Sequence, residues 1–239
     1  MSRTVDVAAS FLATALRLGA GRIARPGGKR PDQPLELYEF EACPFCRKVR
    51  EALTALDLDA TVYPCPTGSR YRAVVLQKGG KELFPFLVDP GRGTSMHESD
   101  HIVRYLAETY GDGRVPVSLS LGPLTTLSAG LASLARPTRG RAARPATIPE
   151  KPLALWSYEA SPFCRLVREV LCELTLPYQL HNVGKGGAGR PAFVALSGRM
   201  RVPYLVDPNT GAAMFESADI VAYLEKTYGT SADAGASAS

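Results

Sequence analysis

The chain has 239 residues, of which 45% are hydrophobic and 21% charged, and a formal net charge of +5. That is the composition of a soluble globular protein of one or two domains, and no apolar run reaches the ~20 residues that a membrane helix needs. Arg and Lys gather at 17–30 and 136–144 with no interleaved aromatics, which reads as solvated linker and argues against nucleic-acid binding.

In chain order, residues 1–33 read as a short helix and a basic linker. Asp6 and Arg17 interrupt the apolar stretch 5–26, which argues against a cleaved leader. A similar stretch, 123–137, recurs in mid-chain. There Leu16 and Ile23 align with Leu127 and Leu134, and Arg25-Pro26 with Arg136-Pro137. The unit 34–112 follows. A strand is expected over Leu35–Phe40, then a helix over Phe45–Leu56 with Pro44 in its first turn. Val49, Leu53 and Leu56 make the buried stripe of that helix, and Arg47, Lys48, Arg50 and Glu51 are expected to face water. Further strands are expected at Thr61–Tyr63, Phe86–Val88 and Thr94–His97, with a short helix at Tyr71–Gln77 and a closing helix at Asp100–Tyr110. Residues 113–151 read as a linker with a short helix, 152–230 as a second unit, and the Ala/Ser/Gly-rich 231–239 as a disordered tail.

The second unit repeats the first. Residues 35–111 align without a gap to 153–229, 118 positions later, with about 33 of 77 residues identical. A period this long is a duplicated domain rather than a solenoid repeat. Two units of this size bury modest cores, so they are expected to pack on each other. The order βαβα then ββα gives an α/β fold with a mixed sheet in each unit.

Three elements carry chemistry. The first is Cys43-Pro-Phe-Cys46, between a strand and a helix. A helix N-terminus favours an anion and lowers the pKa of a thiol placed there. The Cys43 thiolate can attack a disulfide, and Cys46, one turn later, can resolve the mixed disulfide. Zinc would need a second ligand pair. In the second unit the motif becomes Ser161-Pro-Phe-Cys164. The odd count of five cysteines, without disulfide spacing, points to reactive thiols in a reducing compartment. The second element is a proline opening a core strand, in Phe84-Pro85 and Val202-Pro203, a natural place for a cis bond. The third is Glu98-Ser99 and Glu216-Ser217 before the closing helices. The serine suits an N-cap, and a helix start beside a glutamate also suits an amino-acid head group. His97, His101 and His181 read as surface residues, Cys65 as a loop thiol and Cys172 as core.

Together these motifs resemble the thioredoxin-fold N-terminal domain of glutathione transferases, in tandem, with a glutaredoxin-like C-P-F-C in the first copy. The resemblance implies two tandem thioredoxin-like domains, each a four-stranded mixed sheet with helices on both faces. It also implies glutathione as cofactor. Cys43 or Ser161 would meet the glutathione sulfur, and the backbone at Phe84-Pro85 or Val202-Pro203 would pair with its cysteinyl unit. Glu98-Ser99 and Glu216-Ser217 would hold the γ-glutamyl end, and Lys81, Arg199 or Arg201 the glycyl carboxylate. The all-helical domain that follows in that family has no counterpart in 112–152, where the chain is short and rich in Pro and Arg. The leading expectation is therefore a cytoplasmic, glutathione-dependent thiol–disulfide oxidoreductase. It would act through Cys43 and Cys46 on a disulfide-containing substrate. A glutathione transferase or isomerase, and a non-catalytic binding or adaptor protein, are the alternatives.

Overall fold

The structure, a computed structural model, describes residues 21–25, 28–116, 119 and 139–230. The helices expected before each unit and the tail 231–239 lie outside the described residues. The first unit contains β1 (Leu35–Glu39), α1 (Pro44–Ala55), β2 (Ala60–Pro64), α2 (Tyr71–Gly79), β3 (Phe86–Asp89), β4 (Thr94–His97) and α3 (Ser99–Tyr110). The second contains β5 (Leu153–Ser157), α4 (Pro162–Glu173), β6 (Tyr178–Asn182), α5 (Arg190–Ser197), β7 (Tyr204–Val206), β8 (Ala213–Phe215) and α6 (Ser217–Tyr228).

Each unit is four strands with helices on both faces, and the two sheets are continuous. The strand order is β4-β3-β1-β2-β6-β5-β7-β8. β1 and β2 are parallel, as are β5 and β6, while β3, β4, β7 and β8 add antiparallel. The seam is antiparallel, with Ala60 opposite Leu180 and Val62 opposite Tyr178. On one face, α1 and α3 cover Leu35, Leu37 and Leu87 with Val49, Leu53, Ile102 and Leu106. α4 and α6 do the same for the second unit, and Val62 of β2 joins that core across the seam. On the other face, α2 covers Tyr38 and Phe86, and α5 covers Trp156 and Tyr204. Both closing helices are pinned alike. Tyr105 and Tyr110 donate to the buried Asp89 carboxylate, and Tyr223 and Tyr228 to Asp207.

The polar face of α1 does not meet water. Arg47, Lys48, Arg50 and Glu51 are each 1% exposed: Arg47 and Arg50 meet Glu159 of the second unit, Glu51 pairs with Arg47, and Lys48 pairs with Asp100 of α3. Arg50 donates from Nε to Glu159 at 2.9 Å, and reaches Glu39 and Glu41 with its two terminal nitrogens. Arg168 answers it from α4, with Nε to Glu41 at 3.0 Å and Nη2 to Glu159 at 2.8 Å. Arg47 and Arg165 flank the same carboxylates at 3.7–3.9 Å. These positions exchange under the 118-residue shift, so the interface is isologous, like that of a twofold dimer made within one chain.

Two short arms complete the exchange. Gly21–Arg25 docks on the second unit, with Ala160 N–H donating to Gly21 O, Lys185 N–H to Arg22 O, and Ala24 N–H to Lys185 O. Residues 139–143 dock on the first unit, with Ala42 N–H to Gly140 O, Thr67 N–H to Arg141 O, and Ala143 N–H to Thr67 O. The matching arms are GRIARP (21–26) and GRAARP (140–145), 119 residues apart, rather than the alignment of Arg25-Pro26 with Arg136-Pro137. Glycine is required at both arm starts. Gly21 and Gly140 have φ of +79° and +64°, and an added Cβ would lie 2.8 Å from Glu159 Cβ and 2.7 Å from Glu41 Cβ, respectively.

Removing one member of a buried ion network leaves its partners charged in a low-dielectric site, which costs about 3–5 kcal/mol. Glu159→Ala is expected to lower unfolding free energy by about that much in urea melts. Glu225→Ala, which removes an exposed pair with Arg144, should change it by less than about 1 kcal/mol. Equal losses would contradict a structural role for the network.

Candidate active site

The strand register gathers the three motifs. Cys43 follows the C-terminal end of β1, and Tyr38 near that end pairs with Phe86, the residue after Pro85. Phe86 in turn pairs with His97, the residue before Glu98. The dithiol turn, the proline and the Glu-Ser start of α3 therefore share one end of the sheet. The second unit repeats this through Trp156, Tyr204 and Phe215. Because β2 and β6 are antiparallel, the Cys43 end and the Ser161 end lie at opposite ends of the sheet and do not face each other.

Cys43 is the N-cap of α1, and its sulfur accepts from the Cys46 N–H at 3.3 Å. It is 5% exposed, Cys46 is fully buried, and both are free thiols. The hydrogen bond from the Cys46 side chain holds the Cys43 thiol below its ordinary range. Burial opposes this, and the backbone N–H groups of Cys46 and Phe45 assist it. Burial and the bond to Cys43 push Cys46 the other way, well above the usual thiol range. Burial likewise raises Cys65, Cys164 and Cys172. Cys172 is not a simple core residue. Its sulfur accepts from Glu41 N–H and donates to Gly140 O, which ties the end of α4 to the turn before Cys43. Ser161 caps α4 as Cys43 caps α1, accepting from Cys164 N–H at 3.3 Å.

The Phe84-Pro85 and Val202-Pro203 bonds are both cis. Ser99 and Ser217 are not N-caps. They are the first helical residues, and Glu98 and Glu216 hold the cap position with φ of +74° and +67°. Neither glutamate bonds its own helix start through its side chain. The exposed Glu98 carboxylate has no hydrogen-bond or ion-pair partner among the described residues, whereas Glu216 is paired with Arg201 at 2.8 Å. The residue matching Arg201 is Leu83, 40% exposed beside Phe84. Arg199 stacks over Phe215 at 4.2 Å, while Lys81 is exposed. Phe45, 46% exposed, adds an apolar surface next to Cys43.

His97 is not a free surface residue. Its ring nitrogens engage Leu83 O at 2.9 Å and Gly79 O at 3.1 Å, so it braces the loop before Pro85. The sequence reading missed Glu39. This glutamate lies on an inward position of β1, 2% exposed, where the second unit has Ser157. The available signal was its place on the face of β1 shared with Leu35 and Leu37, where Glu36 alternates to the other side.

Burial pushes the Glu39 carboxyl up from 4.5 to about 7, against the pull of Arg50. The folded chain therefore holds this proton longer than the unfolded chain, and Glu39 lowers stability progressively as pH rises from 4.5 to about 7. Across that window the stability of Glu39→Gln relative to wild type is expected to shift in the variant's favour. A difference independent of pH would contradict this. Alkylation with iodoacetamide at neutral pH should label Cys43 first, with a pH midpoint below that of free cysteine. Peptide mapping that finds Cys65 or Cys172 labelled first would contradict the thiol assignment.

Residues 37–114 and again 155–232 match the family described as glutathione S-transferase, N-terminal domain. The chain is 33% identical over 82 residues to the glutathione S-transferase-like protein gedE of Aspergillus terreus, covering 34% of this chain and 36% of that protein. It is 37% identical over 59 residues to the glutathione S-transferase-like protein tpcF of Aspergillus fumigatus, covering 25% of this chain and 26% of that one. The solved Bombyx mori glutathione transferase BmGSTD1 is 27% identical with a TM-score of 0.31, over 35% of this chain and 39% of its own. The chain thus spans about a third or less of the curated relatives it matches. With both units matched in full register, the chain belongs to the glutathione S-transferase N-terminal domain family, present as a tandem pair.

Proposed function

We propose that the first unit is a glutathione-dependent thiol–disulfide oxidoreductase, and that the second is a related unit without redox chemistry. The observation that carries this reading is Cys43 as the N-cap of α1, its sulfur accepting from the Cys46 N–H, with Cys46 fully buried beside it. A nucleophile must be a thiolate, while a resolving thiol can stay protonated until it acts. The Cys43 thiolate attacks a disulfide R–S–S–R′, forming a Cys43–S–S–R bond and releasing R′S⁻, which takes a proton from water. Glutathione thiolate, or Cys46 after losing its proton, then attacks Cys43 sulfur and releases RS⁻. In the first route a second glutathione attacks the glutathione sulfur of the Cys43 mixed disulfide and frees the Cys43 thiolate. In the second, two glutathiones in turn open the Cys43–Cys46 disulfide. Either way, one disulfide is reduced and two glutathiones become one glutathione disulfide.

The residues around Cys43 fit glutathione. The unpaired Glu98 carboxylate suits its ammonium group, and the α3 N-terminus at Ser99 suits its γ-glutamyl carboxylate. The backbone beside Pro85, at Phe84, would pair with the cysteinyl unit. In the second unit Val202, Pro203, Glu216 and Ser217 keep the frame, but Arg201 already holds Glu216, and the Ser161 hydroxyl cannot form a mixed disulfide. A reducing, cytoplasmic setting is part of this reading, in keeping with five free thiols. The fungal relatives are named as transferase-like, and conjugation of an electrophile at Ser161 is the second reading.

The test is reduction of hydroxyethyl disulfide by glutathione. Cys43→Ser is expected to lose at least about 100-fold in kcat/KM, and Cys46→Ser to retain part of the activity. Losing a charged hydrogen bond of about 1.5–3 kcal/mol, Glu98→Gln should raise the KM for glutathione about 10- to 100-fold. Glu216→Gln should leave it unchanged. Activity that survives Cys43→Ser would overturn the assignment.

A further inference from the structure

A cavity of about 580 Å³ lies at the seam, at the end of the sheet opposite the Cys43 turn. It opens on the α2/α5 face of the sheet, where the seam strands carry Thr61 and Gln179 between the two units. Its volume is that of a small-molecule site. One wall is apolar, made by Trp156, Phe193 and Leu196, and Leu196 is 58% exposed at the lip. The opposite wall is acidic. Asp57 and Asp59 come from the turn that leads into β2, and Asp32 from the segment before β1. The cavity's lone guanidinium, Arg30, is already bound to Asp57 Oδ2 at 2.6 Å. Asp59 receives His181 Nδ1 at 2.8 Å and Asn182 N–H at 2.9 Å, yet stays 53% exposed. Asp57 is 2% exposed and sits behind Asp59, its Oδ2 also accepting from Ala188 N–H at 2.9 Å and its Oδ1 packed against Gly187.

The duplicated half supplies a control. Under the 118-residue shift Asp57, Asp59, Trp156 and His181 become Thr175, Pro177, Tyr38 and Tyr63. There Tyr38 and Tyr63 stack at 4.8 Å, and Arg70 donates to Thr175. The carboxylates are thus no requirement of the fold, since the same scaffold position does without them.

We propose that this seam cleft is a second binding site, for an organic cation that carries an ammonium or related group on an apolar body. The apolar wall takes the body, and the exposed Asp59 takes the charge, with Asp57 behind it adding to the field. Three carboxylates against one occupied guanidinium give the cleft a negative field, which attracts cations and repels anions such as glutathione. The site is distinct from the one proposed at Cys43, and neither depends on the other.

Trp156 is the chain's single tryptophan, so its emission reports on this cleft alone. The probes are 4-phenylbutylammonium, 4-phenylbutanol and 4-phenylbutanoate, which share a body and differ in head charge. The ammonium is expected to change Trp156 emission saturably, at least tenfold more tightly than the alcohol, with no saturation by the carboxylate. Asp59→Asn keeps the hydrogen-bond acceptor without the charge and should weaken the ammonium about tenfold. Leu196→Lys, at the exposed lip, should weaken it at least as much. Cys43→Ser should bind as wild type does. Binding of the carboxylate as tight as the ammonium, a response to the ammonium that never saturates, or an unchanged affinity in Asp59→Asn would each overturn the proposal.

Discussion

The reciprocal ion network at the seam is the interaction on which the rest of the structure depends. Arg50 and Arg168 each take a carboxylate from the other unit, Glu159 and Glu41, at a point where all four are buried. Such charges are tolerated in a low-dielectric site only when fully paired, so neither unit can keep its helix face as it is without the other. The network also reaches the chemistry. Glu41 and Glu159 sit two residues before Cys43 and Ser161, and each is held by the partner unit's helix. The turn that positions the thiol is therefore fixed from across the seam, with Cys172 and the 139–143 arm adding further ties.

Within this twofold frame the two halves have diverged where a ligand would be met and agreed where packing is decided. The Asp89 and Asp207 anchors, the cis prolines and the Glu-Ser helix starts are the same in both. Cys43 against Ser161, Glu39 against Ser157 and Leu83 against Arg201 are not. These three differences act together. The first unit has a thiol held below its ordinary range and a Glu98 without a partner among the described residues, while the second has a hydroxyl and a Glu216 paired with Arg201. On the other face the difference runs the opposite way, with Asp59 and His181 lining a cleft where their counterparts are Pro177 and Tyr63.

Much of this was legible from the residues. The 118-residue period gives the two units, and alternating apolar strands with turn residues give the βαβ and ββα order. The cysteine at a helix start carries its own chemistry. What was hidden belongs to the seam. An amphipathic helix displays only its polar face, and Arg47, Arg50 and Glu51 look the same whether water or another unit covers them. The arms escaped because matching Arg-Pro pairs at 25 and 136 favoured a wrong shift. The true match, GRIARP with GRAARP, departs by one residue from the period of the domains. The Asp59–His181 contact joins residues 122 apart, and only the antiparallel pairing of β2 with β6 makes them neighbours.

The central claim is that one of two nearly equivalent helix starts does the redox chemistry. Trapping decides it most directly. Cys46→Ser protein incubated with glutathione disulfide should gain a single glutathione per chain by intact mass. Peptide mapping should place it on Cys43. An adduct on Cys65, Cys164 or Cys172 instead, or no adduct at all, would contradict the claim.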